Sequence, residues 1–301
     1  MEHVLKLDHV TKRFGALAAV DDLSLAIPPG CIYGFLGPNG AGKTTTIRMI
    51  MNIFLPDEGS ISILGDHNPA AVKDRLGYLP EEKGLYKKMR VGELVTYFGR
   101  LKGLPAGLAR SRARDLLSRY GLGEWIGRRA ETLSKGMGQK VQLIATLIHE
   151  PELVILDEPF SGLDPVNAEL LRDMILQIKK AGRTVIFSTH VMEQAEQICD
   201  FIFLINKGRK VIDGPLADVK RTGEQAVRLD YDGDGALLRE LAGVIRVNDS
   251  GKSAELFLEA GYDPQEILKK LVGRLVIRRF DLREPSLNEI FIRAVGGKVD
   301  A

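Results

Sequence analysis

The stretch "CIYGFLGPNGAGKTTTIRMI", Cys31 to Ile50, constrains the fold more than any other part of the chain. An almost unbroken apolar run ends in glycines and then opens into residues of helical character. A strand buried on both faces, a tight glycine turn and a helix from about Lys43 to Asn52 therefore follow one another. Residues 37–45 fit G-x-x-x-x-G-K-[ST] in the strand-to-helix context that gives this spacing its physical meaning. The glycines let successive backbone N–H groups turn inward around phosphate oxygens, and the helix N-terminus adds partial positive charge. Gly37, Pro38, Asn39, Gly40, Ala41, Gly42, Lys43, Thr44 and Thr45 are thus candidates to hold a nucleoside triphosphate. In such a loop Lys43 bridges the β- and γ-phosphates. The Thr44 hydroxyl takes one position on Mg²⁺, whose other ligands are mostly water and phosphate.

A doubly buried strand needs helices on both sides, and the middle of the chain supplies them. "ELVILDEP", "RTVIFSTH" and "FIFLINKG" read as strands separated by helices at 165–181 and 191–200, the alternation of a parallel sheet. Before the glycine loop, "VLKLDHV" and "LSLAI" alternate apolar and polar residues as half-buried strands do, and "GSISILG" and "RLGYLP" add short strands after it. From Lys87 to about Ile148 the period becomes helical, which reads as an inserted helical subdomain. From about Thr222 the character changes again. "AVRLDY", "VIRVND", "AELFLEA" and "LVIRRFDL" read as strands around helices near 235–242 and 264–272, with a last helix at 286–295. The order strand-helix-strand-strand-helix-strand suits a small separate layer of sheet and helices. The expected division is a domain over 1–220 and an accessory domain over 221–301.

Charge and composition narrow the class. The 301 residues carry 42 Lys and Arg against 40 Asp and Glu, so a net charge of +2 gives no global case for nucleic acid or an anionic surface. Cys31 and Cys199 stand far apart without metal-knuckle spacing, which fits a reducing compartment. The start "MEHVLKLDHVTKRF" has no apolar leader, and no run of about eighteen apolar residues occurs. Any membrane role is expected to come through a partner.

"LVILDEP", Leu153 to Pro159, provides the second half of a triphosphate site. Asp157, at the C-terminal end of a buried strand, sits where ligands of open parallel sheets bind and would hold magnesium through a water. Glu158 follows it. A carboxylate there can polarise a water in line with the γ-phosphate, as base or as orienter. The alternative for such an acidic pair, helix capping, loses ground once the glycine loop is in the same chain.

Four further segments join these: "LSKGMGQ" at 133–139, "SGLDP" at 161–165, "STH" at 188–190, and Phe14 within "TKRFGALAAV". In order and spacing, residues 3–218 resemble the nucleotide-binding subunit of ATP-binding cassette transporters. The resemblance implies an α/β fold: a RecA-like P-loop NTPase core with an antiparallel β subdomain and an inserted helical subdomain, followed here by a small α+β domain. It implies ATP and Mg²⁺ as ligands and two copies of the chain enclosing two ATP molecules. Ser134 and Gly136 would meet the γ-phosphate held by the twin, while Ser134 equally fits the capping position of a helix starting near Lys135. It implies that Phe14 stacks on adenine, that His190 contacts the γ-phosphate, and that Asp164 lies in a loop crossing the dimer interface. Glu158, His190 and Lys43 would then be catalytic, with Thr44, Glu81 and Asp157 at the metal.

Three positions depart from the usual wording: Lys135 replaces glycine, Met137 replaces glutamine, and Glu81 in "YLPEEKGLY" stands where the family carries a glutamine that senses magnesium and contacts the membrane subunit. "YLPEEKGLY" and "EPSLNEIFIRAV", Glu284 to Val295, resemble the bacterial exporter subgroup that includes sodium-extrusion and drug-resistance systems, whose membrane proteins are separate chains. The implied function is an ATP-hydrolysing exporter subunit at the inner face of the cell membrane, working through integral membrane permease subunits. Two alternatives stand beside it: a soluble cassette ATPase acting on nucleic acid or ribosomes, and an ATP-binding regulatory module without turnover. A GTPase is disfavoured, because "NKG" at 206–208 lacks the aspartate of N-K-x-D.

Overall fold

A computed structural model describes residues 2–68, 70–82, 84–221, 223, 225–259 and 261–296. Lys83 of "YLPEEKGLY", Thr222 at the expected change of character, and the last five residues lie outside that set. The chain divides into two compact units, 1–213 and 214–301, a boundary ahead of the expected 220.

In the first unit, β1 (Leu5–Phe14) pairs antiparallel with β2 (Leu17–Ile27) and with β4 (Glu58–Ile63). Their alternating burial follows the period-two pattern of the sequence, with Leu5, Leu7, Val10, Leu23 and Ile27 inside. Between them in the chain runs β3 (Ile32–Leu36), every residue of which is buried. It feeds α1 (Lys43–Ile50). β5 (Leu76–Leu79), β6 (Leu153–Asp157), β7 (Thr184–Thr189), β8 (Phe201–Asn206) and β9 (Arg209–Pro215) complete a six-stranded sheet in the order β5-β6-β7-β3-β8-β9. Pairings from β5 through β8 are parallel. β9 was not read from sequence. It follows β8 across Lys207 and Gly208, both at positive φ (49° and 78°), as a two-residue hairpin turn requires.

β5 and β6 are hydrogen-bonded neighbours, and α2 (Val91–Leu101), α3 (Ala106–Arg119) and α4 (Lys135–Leu147) occupy the chain between them. α2 packs closely on α3 because Gly99 has no side chain: a Cβ there would lie 3.3 Å from that of Ala109. α5 (Pro165–Lys180) and α6 (Met192–Ile198) are the crossovers of the parallel sheet. Among the described residues no helix is long and apolar enough to cross a membrane.

The second unit opens with α7 (Leu216–Arg221), whose Lys220 pairs with Glu284 at 3.2 Å. β10 (Ala226–Asp232), β11 (Val244–Asp249), β12 (Ser253–Leu258) and β13 (Val276–Arg283) form an antiparallel sheet ordered β11-β12-β10-β13, the split arrangement of a β-α-β-β-α-β unit. Its core gathers Val227, Leu229, Tyr231, Leu256, Ile267 and Leu271. α8 (Pro264–Leu271) and α9 (Leu287–Ala294) lie where helices were expected. The segment expected helical at 235–242 is a 3₁₀ helix at 235–240, started by Asp234, whose carboxylate accepts from Ala236 N at 2.9 Å.

Candidate functional site

Three adjacent strands, β6, β7 and β3, end at one edge of the sheet, with Leu36 beside Thr189 and Ser188 beside Asp157. Each continues into a segment that carries chemistry. After β3 the loop needs its glycines for space as well as for φ. At Gly37 (φ 153°) a Cβ would collide with the Ile205 carbonyl, and at Gly42 (φ 109°) it would lie 2.5 Å from the Ala19 carbonyl oxygen. Gly208 N donates to Ala41 O at 2.9 Å and pins the loop from the β8–β9 turn. α1 begins without a side-chain cap and without an acid in its first turn, so its first N–H groups are left to face an anion.

Lys43 is buried to 6% exposure, and its ammonium turns back into the loop. Nζ donates to Gly37 O at 2.8 Å and to Pro38 O at 3.2 Å, and lies 3.6 Å from Glu158 Oε1. That places one positive charge at the mouth of the glycine turn, held by carbonyls rather than dispersed in water.

Asp157 and Glu158 divide into two environments. Asp157 is 1% exposed, accepts from Ser188 Oγ at 2.5 Å and from Thr44 Oγ1 at 3.4 Å, and its second oxygen, Oδ2, is buried without a hydrogen-bond partner. Burial pushes its carboxyl above the usual range, against the Ser188 and Thr44 hydrogen bonds, with Glu81 and Glu158 adding repulsion. A buried carboxylate oxygen with no donor, beside a threonine hydroxyl at the start of α1, fits a hard cation that takes one or two protein oxygens and completes its shell with other oxygen ligands. Glu158 reaches its position through left-handed backbone (φ 47°), a conformation costing roughly 1–2 kcal/mol in a residue with a Cβ. Its N–H donates to Ser188 Oγ at 2.9 Å, which helps hold that turn. Its two carboxylate oxygens each lie 3.1 Å from Nδ1 of His190, so the imidazole braces the carboxylate that faces Lys43.

Phe14, Asn39, Gly40, Ala41, Gly42, Lys43, Thr44, Thr45, Glu81 and Glu158 line one cleft of about 740 Å³, together with Lys207 and Gly208. Phe14 stands at its rim, 46% exposed, its ring 5.5 Å from that of Phe54 in edge-to-face contact.

Ser134, Gly136 and Asp164 gather elsewhere, at the starts of α4 and α5. Ser134 caps α4, accepting from Met137 N at 3.3 Å. Gly136 is buried with Asn167 directly over it, so any Cβ would strike that amide. Asn167 is held by Asp164, which accepts from its backbone N at 3.1 Å and from Nδ2 at 2.6 Å; these bonds hold the Asp164 carboxyl below its usual range. Two residues thus escaped the sequence reading. Ser188 bridges Asp157 and Glu158, and its only trace was a small hydroxyl residue at the end of an apolar strand. Asn167 joins the two helix starts, three residues past an Asp-Pro.

With the carboxyl ends of three neighbouring strands turned toward one lysine-bearing loop, the first unit is a P-loop nucleoside-triphosphatase fold. Residues 20–161 match the ABC transporter family, and residues 214–295 match the C-terminal domain of DrrA1-3-like ATP-binding proteins. YhaQ of Bacillus subtilis, described as an uncharacterised ABC transporter ATP-binding protein, is 42% identical over 97% of this chain and 99% of its own. The linearmycin resistance ATP-binding protein LnrL of the same organism is 31% identical over 97% of this chain and 98% of its own. A solved structure of the ATP-binding subunit of an ABC transporter, 31% identical, covers 73% of this chain and 92% of its own with a TM-score of 0.67. The chain belongs to the ABC transporter ATP-binding proteins. It is an ATP-binding, ATP-hydrolysing subunit of that type.

Proposed function

We propose that the chain drives an exporter: two copies enclose two ATP molecules, and closure and reopening of the pair act on separate integral membrane permease subunits at the inner face of the cell membrane. The export direction is supported by whole-length relatives named for linearmycin resistance and for Nod factor export, the latter from Burkholderia lata at 33% identity over 96% of this chain. Residues 1 to about 220 are the nucleotide-binding domain in this reading, and the remainder is accessory. The observation that carries it is the buried Lys43–Glu158 pair, met from the exposed side by His190, beside an Asp157 oxygen that lacks a donor.

In this reading Lys43 and the loop N–H groups bind the phosphates, and Phe14 packs on the base. Glu158 orients a water and takes its proton; His190 fixes the rotamer of Glu158 and faces the same phosphate. Thr44 and Asp157 would hold Mg²⁺, with Glu81 as a further carboxylate at the cleft wall. Bound there, the ion supplies charge neutralisation on the β- and γ-phosphates. Ser134 and Gly136, at an α4 start that does not line their own chain's cleft, serve the nucleotide of the twin, and Asp164 stands at the seam between copies.

The test is Glu158→Gln with ATP and magnesium. Hydrolysis is expected to fall at least ~100-fold, while size-exclusion with light scattering reads a dimer of twice 33.2 kDa. A protein that stays monomeric with ATP, even in the presence of its membrane partner, would refute the paired arrangement.

A further inference from the structure

The chain as a whole is nearly neutral, at +2, yet residues 87–129 hold eleven lysines and arginines against three acids, a net charge of +8. Three of those cations, Lys87, Lys88 and Arg90, precede α2, and four, Arg110, Arg112, Arg114 and Arg119, stand on α3. Helical spacing gathers part of this charge. On α2, Glu93, Thr96, Tyr97 and Arg100 share a face, and on α3 Arg110 and Arg114 share one; with Arg90 they line a groove of about 410 Å³ between the two helices. Four arginines and one glutamate therefore contribute to its walls. Arg90 Nη1 donates to Gly127 O at 3.3 Å, and the Glu93 carboxylate accepts from Arg90 N at 3.3 Å. Among the described residues, Arg100, Arg110 and Arg114 are exposed and have no carboxylate partner. Elsewhere in the same segment Arg112 pairs with Glu150 at 2.8 Å, Arg129 with Glu131 at 3.5 Å, and Lys102 donates to Lys73 O and Leu76 O.

We propose that this groove binds the phosphate-bearing headgroups of anionic lipids, so that the subunit touches the membrane surface directly as well as through its permease. Three observations favour a headgroup. Planar guanidinium forks pair bidentately with phosphate oxygens. The volume lies within the range of small-molecule pockets. Tyr97, Leu101 and Leu108 on the same two helices are exposed, which gives the basic face the apolar and aromatic companions of an interfacial surface. The groove is separate from the nucleotide cleft, sharing none of its lining residues, so the inference does not depend on the roles given to Lys43 or Glu158.

The experiment is flotation of the full chain with phosphatidylcholine vesicles and with phosphatidylcholine–phosphatidylglycerol vesicles, from low to physiological salt. Wild-type protein is expected to float only with the anionic vesicles and to release as salt rises. Each arginine near a charged surface contributes about five-fold in partitioning, so Arg100→Gln, Arg110→Gln, Arg114→Gln combined is expected to weaken binding roughly 100-fold. ATPase activity and melting temperature should be kept. A matched control, Arg239→Gln, Lys252→Gln, Arg274→Gln in the second unit, should bind as wild type. Equal flotation with both vesicle types, or equal loss in the control, overturns the proposal. So does a groove variant that floats normally but no longer co-purifies with the permease in detergent, which would assign the groove to an acidic protein segment instead.

Discussion

Ser188→Ala removes one hydroxyl and two hydrogen bonds that tie the ends of β6 and β7 together. The hydroxyl donates to Asp157 at 2.5 Å and accepts from the Glu158 N–H at 2.9 Å, and both acids are buried. A hydrogen bond to a charged group contributes about 1.5–3 kcal/mol, and a buried N–H left without an acceptor costs about 1–3 kcal/mol, so the variant should lose roughly 3–5 kcal/mol. For a unit of this size that is about 10 °C of melting temperature. The loss should also depend on pH. Burial already lifts the Asp157 carboxyl, and the Ser188 bond opposes the lift. A folded pKa above the unfolded one means the native state keeps the proton longer, so stability is lost as pH rises through the raised value and the penalty is absent below the unfolded one. Ser188→Ala raises it further, so the deficit in melting temperature should be larger at neutral pH than near about pH 4. In the ATPase pH profile the acid limb should move upward, and kcat should fall about 10–100-fold because Asp157 and Glu158 lose a shared support. A melting temperature within ~1 °C of wild type and an unmoved pH profile would refute this account.

Gly37→Ala should abolish binding of a fluorescent ATP analogue and destabilise the chain by more than about 1 kcal/mol, since its Cβ meets the Ile205 carbonyl at a positive φ; wild-type affinity would show the loop to be slacker than described. Asn167→Ala should move the Asp164 carboxyl part of the way back toward its ordinary range by NMR titration, because the Asn167 side chain is the largest cause of its depression. In wild type the increment tied to that depression is present above the unfolded pKa and lost as pH falls through the folded one; the variant keeps the backbone donor at 167, so its acid-side dependence should be weaker. Ending the chain after Pro215 keeps β9 whole and should leave ATP binding unchanged by calorimetry, as each unit has its own core; loss of binding would refute that independence.

What the sequence discloses about this fold follows from what burial imprints on it. β3, β6, β7 and β8 are enclosed on both faces and so read as apolar runs, whereas "RKVIDGP" of β9 is half exposed and is recognisable only through the hairpin turn before it. Strand order carries no such imprint: nothing in the period of β5 names β6 as its neighbour across three helices. The loop of Gly37 to Thr45 and the acids Asp157 and Glu158 stood out in the sequence because each follows the end of an apolar strand, and the structure brings them together. Ser188 was not, since a serine inside a buried strand satisfies the same apolar pattern whether or not it supports a carboxylate. Asn167 escaped for a related reason: an asparagine in the first turn of a helix is ordinary capping chemistry until the glycine beneath it is seen.

The central position of β3 governs when the chain can begin to work. Its two partners, β7 and β8, are encoded far downstream, with Ile32 waiting for Val185 and Tyr33 for Phe201. At ribosomal speeds that interval is about 10–30 s of synthesis, during which the lysine loop has no sheet to anchor it. A nascent chain is therefore blind to ATP until nearly all of its first unit has emerged, and an early stop leaves a fragment that neither sequesters nor wastes the nucleotide.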